Sequence, residues 1–320
     1  MESINKISLD RVRMDPSKRL DANGPSTVTV YIWLSLYFAC NLGLTIYNKA
    51  IMQFANFPYP WTVTAIHCFF SAIGSYLVVS TSSKRETINP EVNSLKGSAI
   101  LISFSVLYTI NIAISNVSLN LVNLAFHQLV RSTTPVFTVI ICLVFGLKNF
   151  SNAIYVSLIP VVLGVALSTY GDMSYTMMGF FLTVLGTALA AIKTIVTNLV
   201  LVGGLKLGPL ELLWRMSSLA FFQCIFFSYL VGELDEMLDS TKYMPLQVKL
   251  ALAGNGLMAF LLNYVSFTAN KLSSALTMTV AANVKQVLTI ILAVLIFNLH
   301  ITLINGIGII IAILGGVQYT

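Results

Sequence analysis

The stretch ALTMTVAANVKQVLTIILAVLIF (275–297) decides the fold class. It is apolar almost throughout and carries a single charge, Lys285. As a helix rising 1.5 Å per residue it is about 35 Å long, enough to cross a hydrocarbon core of ~30 Å. Lys285 then lies about eleven residues into the span, too deep for its ammonium to reach the interface easily. A charge at that depth costs about 2.5–3.5 kcal/mol on insertion scales, so it needs a compensating partner.

Working outward, the same pattern fills the chain. Of 320 residues, 57% are hydrophobic and 9% charged, with mean hydropathy +0.84. Soluble domains carry about 25% charged residues, so the fold class is all-α and polytopic in a lipid bilayer. Ten spans are predicted at 28–48, 61–80, 97–115, 121–145, 152–170, 176–201, 209–231, 248–270, 274–297 and 301–319. Residues 1–27 are polar and of mixed charge, without the apolar region of a signal peptide. They read as a disordered cytosolic tail preceding a membrane domain, 28–320.

Lys and Arg orient the spans. The tail holds Lys6, Arg11, Arg13, Lys18 and Arg19, and alternate connections hold Lys84, Arg85 and Lys96, then Lys148, Lys206 and Lys271. The opposite connections are poor in cations, and one holds Glu233, Asp235, Glu236 and Asp239. Both termini are therefore expected on the cytosolic side.

The chain also repeats itself. The run from Arg131 through VFGLKNF to LGVALSTY (163–170) resembles that from Lys285 through IFNLHIT to LGGVQY (314–319). The offset of about 150 residues brings Phe145 near Phe297 and Asn48 onto Asn198. Five spans per repeat is odd, so repeats 28–170 and 176–319 must be inverted, an arrangement that places ligand sites near the midplane.

Arg131 and Lys193 share with Lys285 a deep position in an apolar span with no acid in sequence reach. Cations on pseudo-symmetric helices suit an anion: Lys285 as a point charge, Arg131 as a bidentate fork. Near Arg131, Gln128, Ser132, Thr133 and Thr134 offer polar groups to a ligand or to neighbouring helices. Lys193 either contacts a ligand or keeps a cavity electropositive. Asn48 and Lys49 end the first span, where Lys49 also has the choice of snorkelling to the interface. Glu211 and Arg215, spaced i,i+4, are expected to pair locally. His67 and His127 are expected to make ordinary interhelical bonds. Gly164 and Gly315-Gly316 suit close helix crossings.

Other chemistries find no support. The four cysteines, Cys40, Cys68, Cys142 and Cys224, have no metal spacing and read as small buried hydrophobes. There is no GxxxxGK[ST] loop, no HExxH motif and no basic–aromatic run for nucleic acid. No metal or cofactor is expected, nor any enzymatic nucleophile–base pair.

Several motifs together carry a family resemblance: YNKAIM (47–52), FPYPWTVTAIH (57–67), SNVSLNLVNLAFHQLVRSTTPVF (115–137), AIKTIVTNLVL (191–201), LNYVSF (262–267), the 275–297 stretch and the closing LGGVQYT. By their order and spacing the chain resembles the triose-phosphate/nucleotide-sugar translocator branch of the drug/metabolite transporter superfamily, over 28–319. The resemblance implies an inverted-repeat antiporter of phosphorylated sugars or nucleotide-sugars in a Golgi or endoplasmic reticulum membrane. It implies that Arg131 before Pro135 is the basic residue of the fourth span. It places the family's phosphate-binding pair on Lys285 and Gln286, only the first of which is basic. A phosphate-contacting tyrosine falls on Leu262, with Tyr264 close by, and Asn263 matches. The fungal GDP-mannose signature is absent, since the stretch reads AANVKQ, and GDP-mannose is not assigned.

The expected partners are thus a small anionic phosphorylated solute and the bilayer, with no nucleic acid and with a homodimer left open. The rivals are a metabolite or drug exporter of the same superfamily, which calls for acids in its cavity, and a non-transporting trafficking or scaffold protein.

Overall fold

The computed structural model describes residues 27–54, 57–81, 92, 94–147, 150–170, 176–203, 205–273, 277–278 and 302–318. The predicted tail lies outside these, apart from Thr27, as do Lys285, Gln286 and most of the ninth span. The helices are α1 (Thr27–Phe54), α2 (Pro60–Thr81), α3 (Leu95–Leu121), α4 (Leu124–Arg131), α5 (Thr134–Val144), α6 (Asn152–Tyr170), α7 (Met177–Val202), α8 (Pro209–Leu230), α9 (Glu233–Lys242), α10 (Leu246–Leu272) and α11 (Leu303–Gln318). The described residues are all-helical, with no strand among them.

Seven stretches of the described residues are long and apolar enough to cross a membrane. They are Val28–Asn48, Pro60–Thr81, Leu95–Leu119, Phe126–Val144, Met177–Val202, Pro209–Leu230 and Leu246–Leu272, and two shorter apolar helices cover Asn152–Leu167 and Leu303–Ala312. A helix stands at every predicted span but the ninth, which lies almost wholly outside the described residues. Large apolar side chains such as Leu163, Phe181 and Phe222 are exposed, as surfaces solvated by hydrocarbon require.

Two features depart from the sequence expectation. The fourth span is not one helix but α4 and α5, separated at Ser132-Thr133. Pro135 has no N–H for the Arg131 carbonyl, and its ring crowds that same group. The Thr134 hydroxyl donates to the Arg131 carbonyl instead, and Thr133 N–H turns back to Val130 O at 3.1 Å. The second is α9, a polar helix on the acidic connection that hydropathy had passed over.

The described helices fall into two compact units that interleave in sequence: residues 1–30, 114–199 and 273–320, and residues 31–113 and 200–272. In the first, α6 packs along α11, and Val122, Phe126, Leu129, Val130, Val165 and Ala312 form a core. A Cβ on Gly164 would overlap the backbone of Ala312 and Gly308, and one on Gly315 would come within 2.8 Å of Val161 N. Both expected glycine crossings are therefore present, backbone against backbone. In the second unit, α2 packs on α8 and α10, around Ile51, Phe57, Val63 and Leu252.

Proline opens α2 and α8 at the first helical position, where its missing N–H costs nothing. The remaining amino-terminal N–H groups of α2 are met from a distance. Glu233 Oε1 accepts from Thr62 N at 2.7 Å and Oε2 from Trp61 N at 3.3 Å. A carboxylate there also meets the positive end of the helix dipole.

Candidate functional site

In the first unit, the helix break sets the position of Arg131. Asn123 caps α4, its side chain accepting from Phe126 N at 2.7 Å, and α4 then runs two turns before Pro135 ends it. Arg131 is the last residue of α4 and is half-buried. Its Nη1 donates to Ser115 Oγ on α3 at 2.6 Å, which anchors one arm of the guanidinium. Lys193, half-buried on α7, lies close enough to Arg131 for the two charges to interact.

Two cations are thus brought together in one unit. The sequence places no Asp or Glu on the described helices of that unit. Like charges held near one another raise the local positive potential. A discontinuous helix carrying a site residue at its break is also a recurrent device of secondary transporters.

The hydroxyls around this pair are occupied. Ser132 and Thr133 donate to Leu129 O at 2.6 Å and Val130 O at 2.7 Å, Thr134 to Arg131 O, and Thr197 to Lys193 O at 2.7 Å. Such back-bonding satisfies the local helix, so the structure gives these groups an intrahelical role. Gln128 is buried one turn before Arg131.

The remaining sequence candidates in the described residues lie in the second unit. Asn48 Oδ1 accepts from Asn255 Nδ2 at 2.8 Å. Asn263 Nδ2 donates to Ser71 Oγ at 3.2 Å. Tyr264 meets Trp33 edge to face, with centroids 5.7 Å apart. The Lys49 side chain, like Lys285 and Gln286, lies outside the described residues.

Arg215 Nη2 and Glu211 Oε1 are 3.1 Å apart, the expected local pair. His67 makes its expected interhelical bond, to Asn255 Oδ1. An apolar cavity of 250 Å³ lies on α6, lined by Tyr155, Leu158, Ile159, Val162 and Leu163. It holds none of the candidates. Ser115 and Asn255 were missed in the sequence, since a lone Ser or Asn in an apolar run carries no signal until its partner on another helix is known.

Residues 28–320 match the Triose-phosphate Transporter family. A probable sugar phosphate/phosphate translocator of Arabidopsis thaliana is 30% identical over 303 residues, covering 92% of this chain and 82% of that protein. An Arabidopsis UDP-galactose transporter is 27% identical, with 88% and 84% covered, and a GDP-mannose transporter from the same plant is 28% identical, with 88% and 82% covered. A protein of known crystal structure superposes with a TM-score of 0.62 at 10% identity, covering 92% of this chain and 97% of its own, a likeness of fold alone.

Proposed function

The chain belongs to the triose-phosphate transporter family, and within it we propose a secondary antiporter that exchanges an anionic phosphorylated solute for a nucleotide monophosphate or inorganic phosphate. It is a membrane transporter and not an enzyme. The cargo proposed is a nucleotide-sugar or sugar phosphate, and the membrane is that of the Golgi or endoplasmic reticulum, with both termini cytosolic.

The observation that carries this reading is the Arg131–Lys193 pair on helices that supply no acid. In the proposed site Arg131 and Lys285 hold phosphate and Lys193 maintains the positive field. Gln128, Thr134, Gln286, Asn48, Lys49, Asn263 and Tyr264 are proposed as further cargo contacts. Repulsion between the cations of an empty site disfavours closure without an anion, which is a physical route to obligatory exchange.

Ten spans in two inverted repeats belong to the same proposal. Packing within each unit supports it: α2 and α8, the second and seventh predicted spans, lie together, and so do α6 and α11, the fifth and tenth. Under the offset of five spans these are counterparts, and counterparts meet wherever a pseudo-two-fold axis passes.

A thermal-shift screen of the purified protein tests the cargo class, because a ligand that binds the folded state raises its melting temperature. Nucleotide-sugars, nucleoside monophosphates or sugar phosphates are expected to raise it. Stabilisation by lipophilic cations but by none of these anions replaces the reading with that of an exporter.

A further inference from the structure

Three helices of the second unit are joined by a chain of side-chain hydrogen bonds. His67 on α2 bonds through Nε2 to Asn255 Oδ1 on α10, and Asn255 Nδ2 donates to Asn48 Oδ1 on α1 at 2.8 Å. Asn255 is 1% exposed, with both ends of its amide engaged. One turn away, Tyr47 donates its hydroxyl proton to Ala251 O at 2.9 Å. The absence of a side chain at Gly254 makes room for that hydroxyl, since a Cβ would stand 2.8 Å from it. Helix α1 is thereby held in register on α10, and the freedom left to Asn48 is the direction of its amide.

That direction is not arbitrary. An amide oxygen accepts and an amide nitrogen donates, so the order of groups along the chain is fixed at its start. With the proton on His67 Nε2, Asn255 must accept there and donate to Asn48 Oδ1. The chain then ends on the Asn48 NH2, at a half-buried position. With Nε2 bare, every bond reverses and Asn48 offers its carbonyl instead. A cargo rich in phosphate and hydroxyl oxygens needs the donor.

We propose that Asn48 donates a hydrogen bond to the oxygen-rich cargo, and that His67 and Asn255 are positioning residues that fix the polarity of its amide. The proposal rests on the phosphorylated-anion reading above. Because the role of both positioning residues is exercised through Asn48, their effects on binding must vanish once Asn48 is gone, whereas residues that merely hold the helices together would act regardless of it.

The test is calorimetric binding of UDP-galactose and of inorganic phosphate to the purified full chain. Asn48→Ala and Asn255→Leu are each expected to weaken the tighter-bound probe about tenfold, the scale of one oriented hydrogen bond. The double variant is expected to bind no more weakly than Asn48→Ala alone, since coupled residues are non-additive. His67→Gln, whose amide nitrogen stands where Nε2 stood, is expected to retain wild-type affinity, while His67→Phe loses it to the same extent as Asn255→Leu.

Where Asn255→Leu does not fold, Asn255→Asp serves. A carboxylate only accepts, so it turns the Asn48 amide around and gives the same tenfold loss in a folded protein. Additive losses in the double variant, or unchanged affinity in Asn255→Asp and His67→Phe, overturn the positioning role while leaving the anion reading intact. Failure of the wild-type protein to bind either probe or any nucleotide-sugar, nucleoside monophosphate or sugar phosphate of the thermal-shift screen overturns the anion reading and this inference with it.

Discussion

The two units hold their helices together by different means. In the unit containing α4–α7 and α11, glycines let backbones touch, with Gly164 against Gly308 and Ala312 and Gly315 against Val161. In the other, side chains mediate: the His67–Asn255–Asn48 chain, Thr109 donating to Gln223 at 2.6 Å, and Trp61 stacked on Phe227 at 5.2 Å. The charge distribution divides in the same way. Every acidic residue among those described lies in the second unit, where Glu211 meets Arg215 and Glu233 caps α2. The first unit carries the cations Arg131 and Lys193 on its helices, and no acid is among its described residues.

The contrast in packing can be broken first. Gly164→Ala puts a Cβ into the backbone of α11, which cannot move aside locally. It is expected to cost about 3 kcal/mol or more, or to abolish folding. Gly43→Ala in the second unit meets only the terminal methyl of Met258 at 2.9 Å, a flexible end that can turn away, and is expected to cost less than about 1 kcal/mol. Melting temperatures of the purified variants decide this. Equal losses would show that the two units do not differ in packing.

The contrast in charge is sharpened by three cation variants. Arg131→Ala is expected to weaken binding of a phosphorylated anion about 10- to 100-fold, the worth of a charged hydrogen bond in a shielded site, and Lys193→Ala, which removes a part of the field, by about tenfold or less. Arg215→Ala is expected to leave that affinity unchanged, because Arg215 is committed to Glu211. A loss at Arg215 equal to that at Arg131 would erase the distinction between the units.

Much of this was legible in the chain. Spans of apolar residues gave helices at their predicted places because membrane insertion constrains composition tightly. Gly164, Gly315 and the Glu211–Arg215 pair were readable, since each depends on the pattern along one helix. The break at Ser132-Thr133 was signalled by Pro135, but hydropathy averaged over it. Glu233 and Asn255 were invisible for another reason. Their partners lie 171 and 188 residues away, and no local pattern encodes which helix end or which histidine will stand opposite.

Glu233 provides a smaller test within the second unit. Glu233→Ala removes both acceptors at the start of α2 and is expected to cost about 1–2 kcal/mol, the upper range of cap losses. Burial raises the Glu233 carboxyl above the usual glutamate range, and the Glu236 charge adds to this. The folded protein then retains a proton that the unfolded chain has released. Stability is therefore expected to fall as pH rises from the ordinary glutamate value near 4.5 through the raised folded value. Glu233→Gln should flatten that slope in a series of melts at stepped pH, and an unchanged slope would assign it to other groups.

The smallest effect is expected at Asn123. Asn123→Ala deletes the cap of α4 and should cost about 1 kcal/mol. Because α4 is short and carries Arg131 at its end, a modest loss of anion affinity should accompany the drop in melting temperature. A stability loss with affinity intact would show that Arg131 is positioned by Ser115 alone.

The central claim is that this chain exchanges phosphorylated anions through Arg131 and Lys285, and transport in proteoliposomes tests it most directly. Vesicles containing the purified protein are preloaded with inorganic phosphate or UMP, or left empty, and offered labelled UDP-galactose or labelled phosphate. The account predicts rapid uptake of at least one label only where a phosphorylated anion is inside, with Arg131→Ala and Lys285→Ala reducing it to the rate of protein-free vesicles. Equal uptake into empty and loaded vesicles, or wild-type exchange in both variants, would contradict it.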